Sequence, residues 1–279
     1  MAVTTRIPRV LSIAGSDSGG GAGIQADLKA FAACGVHGMT AITALTAQNT
    51  VAVTKVESVS PEMVIAQVRA VAADLGVDAA KIGMLGTAET IEAVRRALGE
   101  LERGTPVVID PVMVAESGAD LLDRSARSAL VELLLPLATV VTPNLPEARA
   151  LTGLTDADPA TLARAIHELG PAVVVVTGGH REEVTDVFFD GDSIVEIPGE
   201  RYPGAATHGS GCTHSSALAA YLARGLTPLE AARRAKEIAG AAVRDGLEGI
   251  GAGAGPVDAL GLLRLCAPVS ASGSDGPLP

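Results

Sequence analysis

Aromatic side chains are scarce in this chain of 279 residues, which has no tryptophan, two tyrosines and three phenylalanines. Proteins that bind single-stranded nucleic acids commonly stack the bases on aromatic rings, so the composition argues against such a partner. The net charge of −11 points the same way, because a protein that binds a phosphate backbone normally presents a basic face. We expect no nucleic-acid partner, although one local anion site could still bind a small phosphorylated ligand.

Cysteines and long apolar runs are also few. Cys34, Cys212 and Cys266 are widely spaced, a pattern that fits neither a disulfide framework nor a metal cluster and is typical of a reducing compartment. No apolar run approaches the roughly 18 residues that a membrane span needs, and residues 1–9 lack the apolar core of a secretory signal. These absences predict a cytoplasmic protein without a membrane partner.

What the chain has in abundance is an alternation of short β-rich runs with amphipathic helical stretches. This alternation predicts an α/β fold whose central, mostly parallel sheet is flanked by helices on both faces. The runs at 51–59, and at 184–189 and 193–197 around the turn Asp190-Gly191, predict antiparallel strands at the sheet margins. Strands are predicted at 10–14, 39–45, 81–84, 107–110, 139–142 and 173–177, and helices at 24–33, 61–75, 88–101, 125–135, 160–169, 214–224, 228–245 and 257–265.

The length of the chain and the composition of its tail predict how it is divided into domains. No internal repeat or linker divides the chain, so we predict one domain over residues 1–267. The remaining segment, 268–279, is rich in Ser, Gly and Pro, and we predict that it is disordered.

The turn Gly209-Ser210-Gly211-Cys212, which precedes a helical run, is the strongest functional signal. Unpaired N–H groups and the positive end of the helix dipole make such a turn a cradle for phosphate. A thiol at a helix start usually has a lowered pKa, so Cys212 is a candidate base. A phosphate site that contains a base predicts phosphoryl transfer. The alternative is an ordinary glycine turn followed by a buried cysteine.

A second glycine loop, at residues 19–23, matches neither familiar nucleotide-binding motif. A P-loop needs Lys and Ser or Thr after its last glycine, where this chain has Ile24 and Gln25. A dinucleotide-binding fold needs an acidic residue at the end of the second strand, where this chain has Gln48. We expect the loop to close over a small polar ligand, the alternative being a flexible connection.

Asp110, Asn144 and Glu147 follow two neighbouring predicted strands and suggest a magnesium site. Mg²⁺ prefers oxygen ligands and keeps several waters, so one or two carboxylates and the phosphates of a nucleotide suffice to hold it. The alternative for Asn144 and Glu147 is a capping box at a helix start. The two roles are compatible.

Six motifs, at 20–27 (GGAGIQAD), 43–50 (TALTAQNT), 81–85 (KIGML), 110–113 (DPVM), 142–148 (TPNLPEA) and 207–213 (THGSGCT), occur in a specific order. Together they resemble the hydroxymethylpyrimidine/phosphomethylpyrimidine kinases of thiamine biosynthesis, over residues from about 10 to 256. The resemblance implies a ribokinase-like fold, ATP and Mg²⁺, and commonly a homodimer. It also implies two successive phosphorylations, first of the 5-hydroxymethyl group of 4-amino-5-hydroxymethyl-2-methylpyrimidine and then of the monophosphate.

The same resemblance implies a role for each matching position. Catalysis falls to Cys212 and the turn Gly209, Ser210 and Gly211, and metal binding to Asp110, Asn144 and Glu147. The pyrimidine is expected to contact Gln48, Asp27, Gly15, Met84 and Val112, and the nucleotide Gly179, Thr207 and Lys236. This chain departs from many relatives at Thr177, where lysine is frequent, at Ser210, where threonine is frequent, and at His214, where an apolar residue is common.

Two other functions remain open. A pyridoxal or pyridoxine kinase, or an enzyme of dual specificity, would also phosphorylate a hydroxymethyl group on a flat nitrogen heterocycle. A non-catalytic protein could retain the pocket only to bind the ligand. Acceptor-dependent release of ADP separates either kinase from the binding protein.

Overall fold

The computed structural model describes residues 6–114, 118, 122, 124–179, 184–202 and 206–265. These residues form a nine-stranded sheet with the order β3-β2-β1-β4-β5-β6-β7-β8-β9. The strands are β1 Arg9–Asp17, β2 His37–Gln48, β3 Val53–Ser58, β4 Ala79–Ile82, β5 Val107–Ile109, β6 Val140–Val141, β7 Val173–Val176, β8 Asp186–Phe189 and β9 Ile194–Ile197. Strands β1, β2 and β4 to β7 are parallel, whereas β3, β8 and β9 are antiparallel. Both the parallel centre and the antiparallel margins are confirmed.

Helices cover both faces of this sheet, as the alternation predicts. They are α1 Gly23–Ala33, α2 Pro61–Asp74, α3 Ala88–Ala97, α4 Arg124–Ala129, α5 Leu145–Thr152, α6 Pro159–His167, α7 Ser210–Ala223, α8 Pro228–Arg244 and α9 Leu262–Leu265. One apolar core lies between the sheet and α2 to α6, and the other between the sheet and α1, α7 and α8. Successive strand side chains point to opposite faces, so Val10 joins the second core while Leu11 joins the first.

Two predicted helices differ from the structure. The helix expected at 257–265 is reduced to α9, because Pro256 pairs with His208 as an isolated bridge and Val257 N–H donates to the His208 carbonyl. The helix expected at 125–135 is α4, followed by a wider helical turn over Leu130–Leu134 and a tight turn over Leu135–Leu137. Pro136, which lacks an N–H, lies in that last turn.

Some expectations fall outside the described residues, including the tail at 268–279 and the free thiol of Cys266. Among the residues that the structure covers, no helix is both long and apolar enough to cross a membrane. The sheet's parallel centre leaves six strand ends on one edge, and this edge positions the site.

Candidate active site

A cavity of about 1070 Å³ lies across the carboxyl ends of the parallel strands, beside the start of α7. Ligands of open α/β sheets bind at this edge. Every site residue expected from the sequence lines the cavity except Asp27. The lining residues among them are Gly15, Gln48, Met84, Asp110, Val112, Asn144, Glu147, Gly179, Thr207, Gly209, Ser210, Gly211, Cys212 and Lys236.

Asp27, expected to contact the pyrimidine, lies beneath the cavity floor and is fully buried. Its carboxylate accepts hydrogen bonds from Ser12 Oγ at 2.5 Å and Ser216 Oγ at 2.7 Å. It also pairs with the Lys81 ammonium at 2.9 Å. In this structure Asp27 lies next to the cavity residue Lys81 rather than on the cavity wall, and its contact with a pyrimidine stays a prediction from the resemblance.

Lys81 is a cavity residue to which the sequence analysis gave no role. It lies on the central strand β4, is fully buried and lines the cavity floor. Its Nζ is 2.9 Å from Asp27 Oδ1 and 3.9 Å from Asp110 Oδ2. Burial lowers the pKa of Lys81, but the charges of the surrounding acids raise it more, so the ammonium stays charged. The signal in the sequence was a lysine inside an otherwise apolar strand.

Cys212 lies in the first turn of α7, which begins at Ser210. The expectation of a lowered thiol pKa is wrong. Burial raises the pKa of Cys212 to about 12, and the charges of Asp27 and Asp110 add to that effect. Lys81 and a hydrogen bond from the Gly23 backbone oppose the rise without overcoming it. The position at a helix start therefore counts for less than the burial of the thiol.

The turn before α7 has the geometry of an anion cradle. Gly209 is the N-cap residue and has φ +85°, a conformation that favours glycine. The first N–H groups of a helix have no helical acceptor. A Cβ placed on Gly211 would meet no atom within 4 Å, so the cavity side of the turn is open. The first turn of α7 can therefore receive the oxygens of a phosphate.

In the other glycine loop, most of the N–H groups are bound by a side chain of the protein itself. The carboxylate of Asp17 accepts hydrogen bonds from Gly19 N at 2.8 Å, Gly21 N at 3.0 Å and Ala22 N at 2.8 Å. These N–H groups would otherwise be the ones available to an anion. Only Ala22 and Gly23, at the end of the loop, reach the cavity wall.

Asp110, Asn144 and Glu147 meet on one part of the wall. Asn144 and Glu147 form a capping box, with Asn144 N–H donating to Glu147 Oε2 and Glu147 N–H donating to Asn144 Oδ1, each at 2.9 Å. Burial, together with the charge of Asp110, raises the pKa of Glu147 to about 8. Burial also raises the pKa of Asp110. Two buried carboxylates that repel each other are a donor set that one divalent cation would stabilise.

That donor set is small. In the part of the chain that the structure describes, no group of three or more His, Cys, Asp or Glu side chains is arranged to hold a metal ion. Magnesium does not require such a group, because it keeps waters and shares phosphate oxygens with the nucleotide. The residues present therefore fit Mg²⁺ better than a metal that needs a full set of protein ligands.

At the far end of the cavity, Lys236 of α8 pairs with Asp186 of β8. Asp186 Oδ1 lies 2.5 Å from Lys236 Nζ and accepts a hydrogen bond from Gly178 N at 2.8 Å. His214 Nε2 lies 3.2 Å from Asp186 Oδ2. Although burial raises it, contacts with His214 and Lys236 hold the pKa of Asp186 below its usual value. Asp186 and His214 received no site role in the sequence analysis.

Comparison with known proteins gives these features a context. A family model described as phosphomethylpyrimidine kinase matches residues 17–258. A hydroxymethylpyrimidine/phosphomethylpyrimidine kinase of Rhizobium meliloti is 54% identical over 255 residues, which cover 88% of this chain and 95% of that protein. A bifunctional thiamine biosynthesis protein of Geobacter sulfurreducens is 48% identical over 254 residues, which cover 89% of this chain and 51% of that protein.

Solved structures show a similar architecture. The pyridoxal kinase of Staphylococcus aureus, in complex with AMP-PCP and pyridoxal, superposes with a TM-score of 0.84 at 34% identity. The match covers 93% of this chain and 96% of that one. The neighbour thus shares the fold and binds a nucleotide together with a hydroxymethyl heterocycle.

Proposed function

The chain belongs to the phosphomethylpyrimidine kinase family, and from this premise we propose that it phosphorylates 4-amino-5-hydroxymethyl-2-methylpyrimidine with ATP in thiamine biosynthesis. It then phosphorylates the resulting monophosphate to the diphosphate. The observation that supports this proposal most is one continuous cavity with Gln48, Met84 and Val112 at one end and the Gly209–Cys212 turn beside them. An acceptor ring and a transferring phosphate can therefore occupy the same site.

The acceptor end suits an aminopyrimidine. Gln48 offers a carboxamide, which has both a donor and an acceptor for an amino group beside a ring nitrogen. Thr46 Oγ1 lies 2.9 Å from the Ser16 carbonyl oxygen and 3.1 Å from Gln48 Oε1, so the two acceptors share its one hydroxyl proton. A Cβ on Gly15 would lie 3.1 Å from the Met84 sulfur, so Gly15 leaves space for the thioether. Met84 and Val112 enclose the flat ring from its apolar sides.

Transfer takes place at the start of α7. The N–H groups of Gly211 and Cys212 and the helix dipole stabilise the charge of the transferring phosphoryl group. In its thiolate form, which the charge of Lys81 favours against burial, Cys212 Sγ accepts the proton of the hydroxymethyl group as its oxygen bonds to the γ-phosphorus of ATP. The bond between that phosphorus and the ADP oxygen breaks in the same step, and ADP leaves. In the second step the acceptor is an ionised phosphate oxygen, so little base is needed.

Asp110, Asn144 and Glu147 are the residues that would hold Mg²⁺, directly or through water. When bound, the ion would neutralise phosphate oxygens, and its positive charge would oppose the rise that burial and the nearby carboxylates cause in the pKa of Cys212. Gly179, Thr207 and Lys236 line the end of the cavity where the rest of the nucleotide would lie. Asp27 acts from beneath the floor by holding the Lys81 ammonium in place.

We also propose a homodimer in the cytoplasm, built from one domain over residues 1–267. Strand β3 is an edge of the sheet, and Leu45, Val51, Val56 and Met63 are exposed in this region. Exposed apolar side chains on a sheet edge are a typical interface. Light scattering tests the dimer, and Val56→Lys should shift it to a monomer. Cys34 and Cys212 are free thiols, in keeping with a reducing compartment.

Pyridoxal kinase is the second candidate, favoured by the similarity to the solved structure with pyridoxal. An assay of ADP release with ATP, Mg²⁺ and either acceptor decides between the two, and mass spectrometry of the product counts the phosphates added. We expect ADP release with the aminopyrimidine and a product with two phosphates. ADP release with pyridoxal alone would replace the assignment, and no acceptor-dependent release would indicate a binding protein.

A further inference from the structure

A buried contact joins the two glycine-rich segments of the site. Asp17, at the end of β1, and His208, just before the Gly209–Cys212 turn, are both buried, and His208 Nε2 lies 3.2 Å from Asp17 Oδ2. Hydrogen bonds from His208, Ala22 and Gly19 outweigh the effect of burial and hold the pKa of Asp17 below its usual value. An ionised carboxylate only accepts, so the proton of this hydrogen bond lies on His208 Nε2.

The backbones of the two segments also interlock. A Cβ on Gly21 would lie 2.2 Å from the His208 ring, and a Cβ on Gly209 would lie 1.8 Å from the Gly21 carbonyl oxygen. Real Cβ atoms do not approach so closely, so the contact requires glycine at both positions. His208 is itself fixed from the other side, because its N–H donates to the Gly255 carbonyl and its carbonyl accepts from Val257 N–H.

The first segment is attached to the acceptor end of the cavity as well. Ser18, the neighbour of Asp17, donates from Oγ to the Gln48 carbonyl at 2.7 Å and accepts from Gln48 N–H at 2.9 Å. A continuous path of contacts therefore runs from Gln48 through Ser18, Asp17 and His208 to Gly209. The path connects the residue that would recognise the acceptor with the turn that would hold the phosphate.

We propose that Asp17 and His208 are positioning residues whose contact sets the spacing between the Gln48 loop and the Gly209–Cys212 turn. This proposal rests on the proposed kinase function. In-line transfer requires the acceptor oxygen about 3–3.5 Å from phosphorus, and a misplacement of about 1 Å can cost roughly 100-fold in rate. Neither residue needs to touch the reacting atoms to have that effect.

The test is a comparison of His208→Ala, His208→Gln and His167→Ala. His167 is a matched control, because its ring also packs on a glycine, Gly191, but lies outside the cavity. We expect His208→Ala to lower kcat about 10- to 100-fold, with the KM of acceptor and ATP changed by less than about threefold. His208→Gln, whose amide can still donate to Asp17, should recover part of kcat, and His167→Ala should keep it.

A double-variant cycle then tests whether the two residues act through each other. In the Asp17→Asn background, His208→Ala should lower kcat little further. Additive losses, wild-type kcat in His208→Ala, or a loss confined to KM would overturn the proposal. Each rate is measured with the aminopyrimidine and with pyridoxal. If the wild-type protein phosphorylates only pyridoxal, the proposed acceptor is wrong. The effect of the substitutions on kcat can then still be measured with pyridoxal, so the positioning role is tested in either case.

Discussion

The two ends of the cavity carry opposite arrangements of buried charge. At the transfer end, the Lys81 ammonium lies between two carboxylates, 2.9 Å from Asp27 and 3.9 Å from Asp110. At the end that we propose for the nucleotide, the carboxylate of Asp186 lies between Lys236 and the imidazole of His214. The first arrangement leaves one carboxylate in excess, which suits a divalent cation. In the second, the single carboxylate is matched by the Lys236 ammonium.

The difference teaches how one cavity can serve two ligands. The acceptor end is defined by side chains fixed on the sheet edge, so it can discriminate between ring structures. The Gly209–Cys212 turn, which we propose binds phosphate, offers backbone N–H groups, and these recognise charge rather than shape. Changes to side chains at the acceptor and transfer end should therefore affect acceptor recognition and transfer, and leave nucleotide binding nearly intact.

The largest effect is expected from a substitution at the transfer end of the cavity. Cys212→Ala should lower phosphorylation of the hydroxymethyl acceptor by about 10²–10⁴-fold, the range for a positioned acid–base group. The second phosphorylation should suffer less, and calorimetry should show nearly unchanged ATP binding. Cys34→Ala is the control, because Cys34 is a buried thiol outside the cavity. Normal turnover in Cys212→Ala would show that Cys212 does not act as the base and contributes only to packing.

A second prediction compares the two lysines that pair with carboxylates at the cavity, Lys81, which is fully buried, and Lys236, which is partly exposed. Lys81→Met leaves the fully buried Asp27 without its cation, and loss of one partner of a buried pair costs about 3–5 kcal/mol of unfolding free energy. Lys236→Met should cost less, because Asp186 keeps the Gly178 N–H and the His214 contact, but it should weaken nucleotide binding. Denaturant unfolding and ATP titration measure the two quantities. Equal destabilisation by both substitutions would contradict the difference between the ends.

A third prediction concerns pH and Glu147. The pKa of Glu147 is about 8 in the folded chain, compared with 4.5 for an unperturbed glutamate. Between pH 4.5 and pH 8, the unfolded chain therefore releases a proton that the folded chain keeps. The unfolding free energy of the metal-free protein should therefore fall as pH rises through this window. Glu147→Gln removes that dependence, and the amide can still complete the capping box.

Added Mg²⁺ should restore stability to the wild type at about pH 8, where Glu147 ionises readily, but less so to Glu147→Gln. Asp110→Asn should, like Glu147→Gln, raise the Mg²⁺ concentration needed for half-maximal rate, because each removes an anionic oxygen. Denaturation midpoints with and without Mg²⁺ measure the first effect. Identical pH profiles and Mg²⁺ requirements in wild type and both variants would leave Glu147 with a capping role alone.

The sequence predicts the sheet and most of the cavity wall for a simple reason. Parallel strands end on one edge, so polar residues that follow different strands, such as Gln48, Asp110 and Asn144, are brought together whatever the details of packing. The role of each of these residues remains a prediction from the family resemblance.

The remaining features depend on contacts between distant parts of the chain. Asp27 and Lys81 are 54 positions apart, on α1 and β4, and no local pattern pairs them. The raised pKa of Cys212 also depends on the fold, because burial of the thiol is its main cause and the charges of Asp27 and Asp110 add to it. The hydrogen bonds from the glycine loop to Asp17 are local instead, because this carboxylate is only two to five residues from the N–H groups that it binds.

The most direct test of the account is the binding of acceptors to wild type and Gln48→Leu by calorimetry. The account predicts that Gln48→Leu loses about 1–3 kcal/mol of binding free energy for the aminopyrimidine, because the buried polar edge of the ring goes unpaired. Binding of pyridoxal, which lacks the amino edge, should fall less. An unchanged Kd for the aminopyrimidine together with a collapse of pyridoxal binding would contradict the account and assign the acceptor end to pyridoxal.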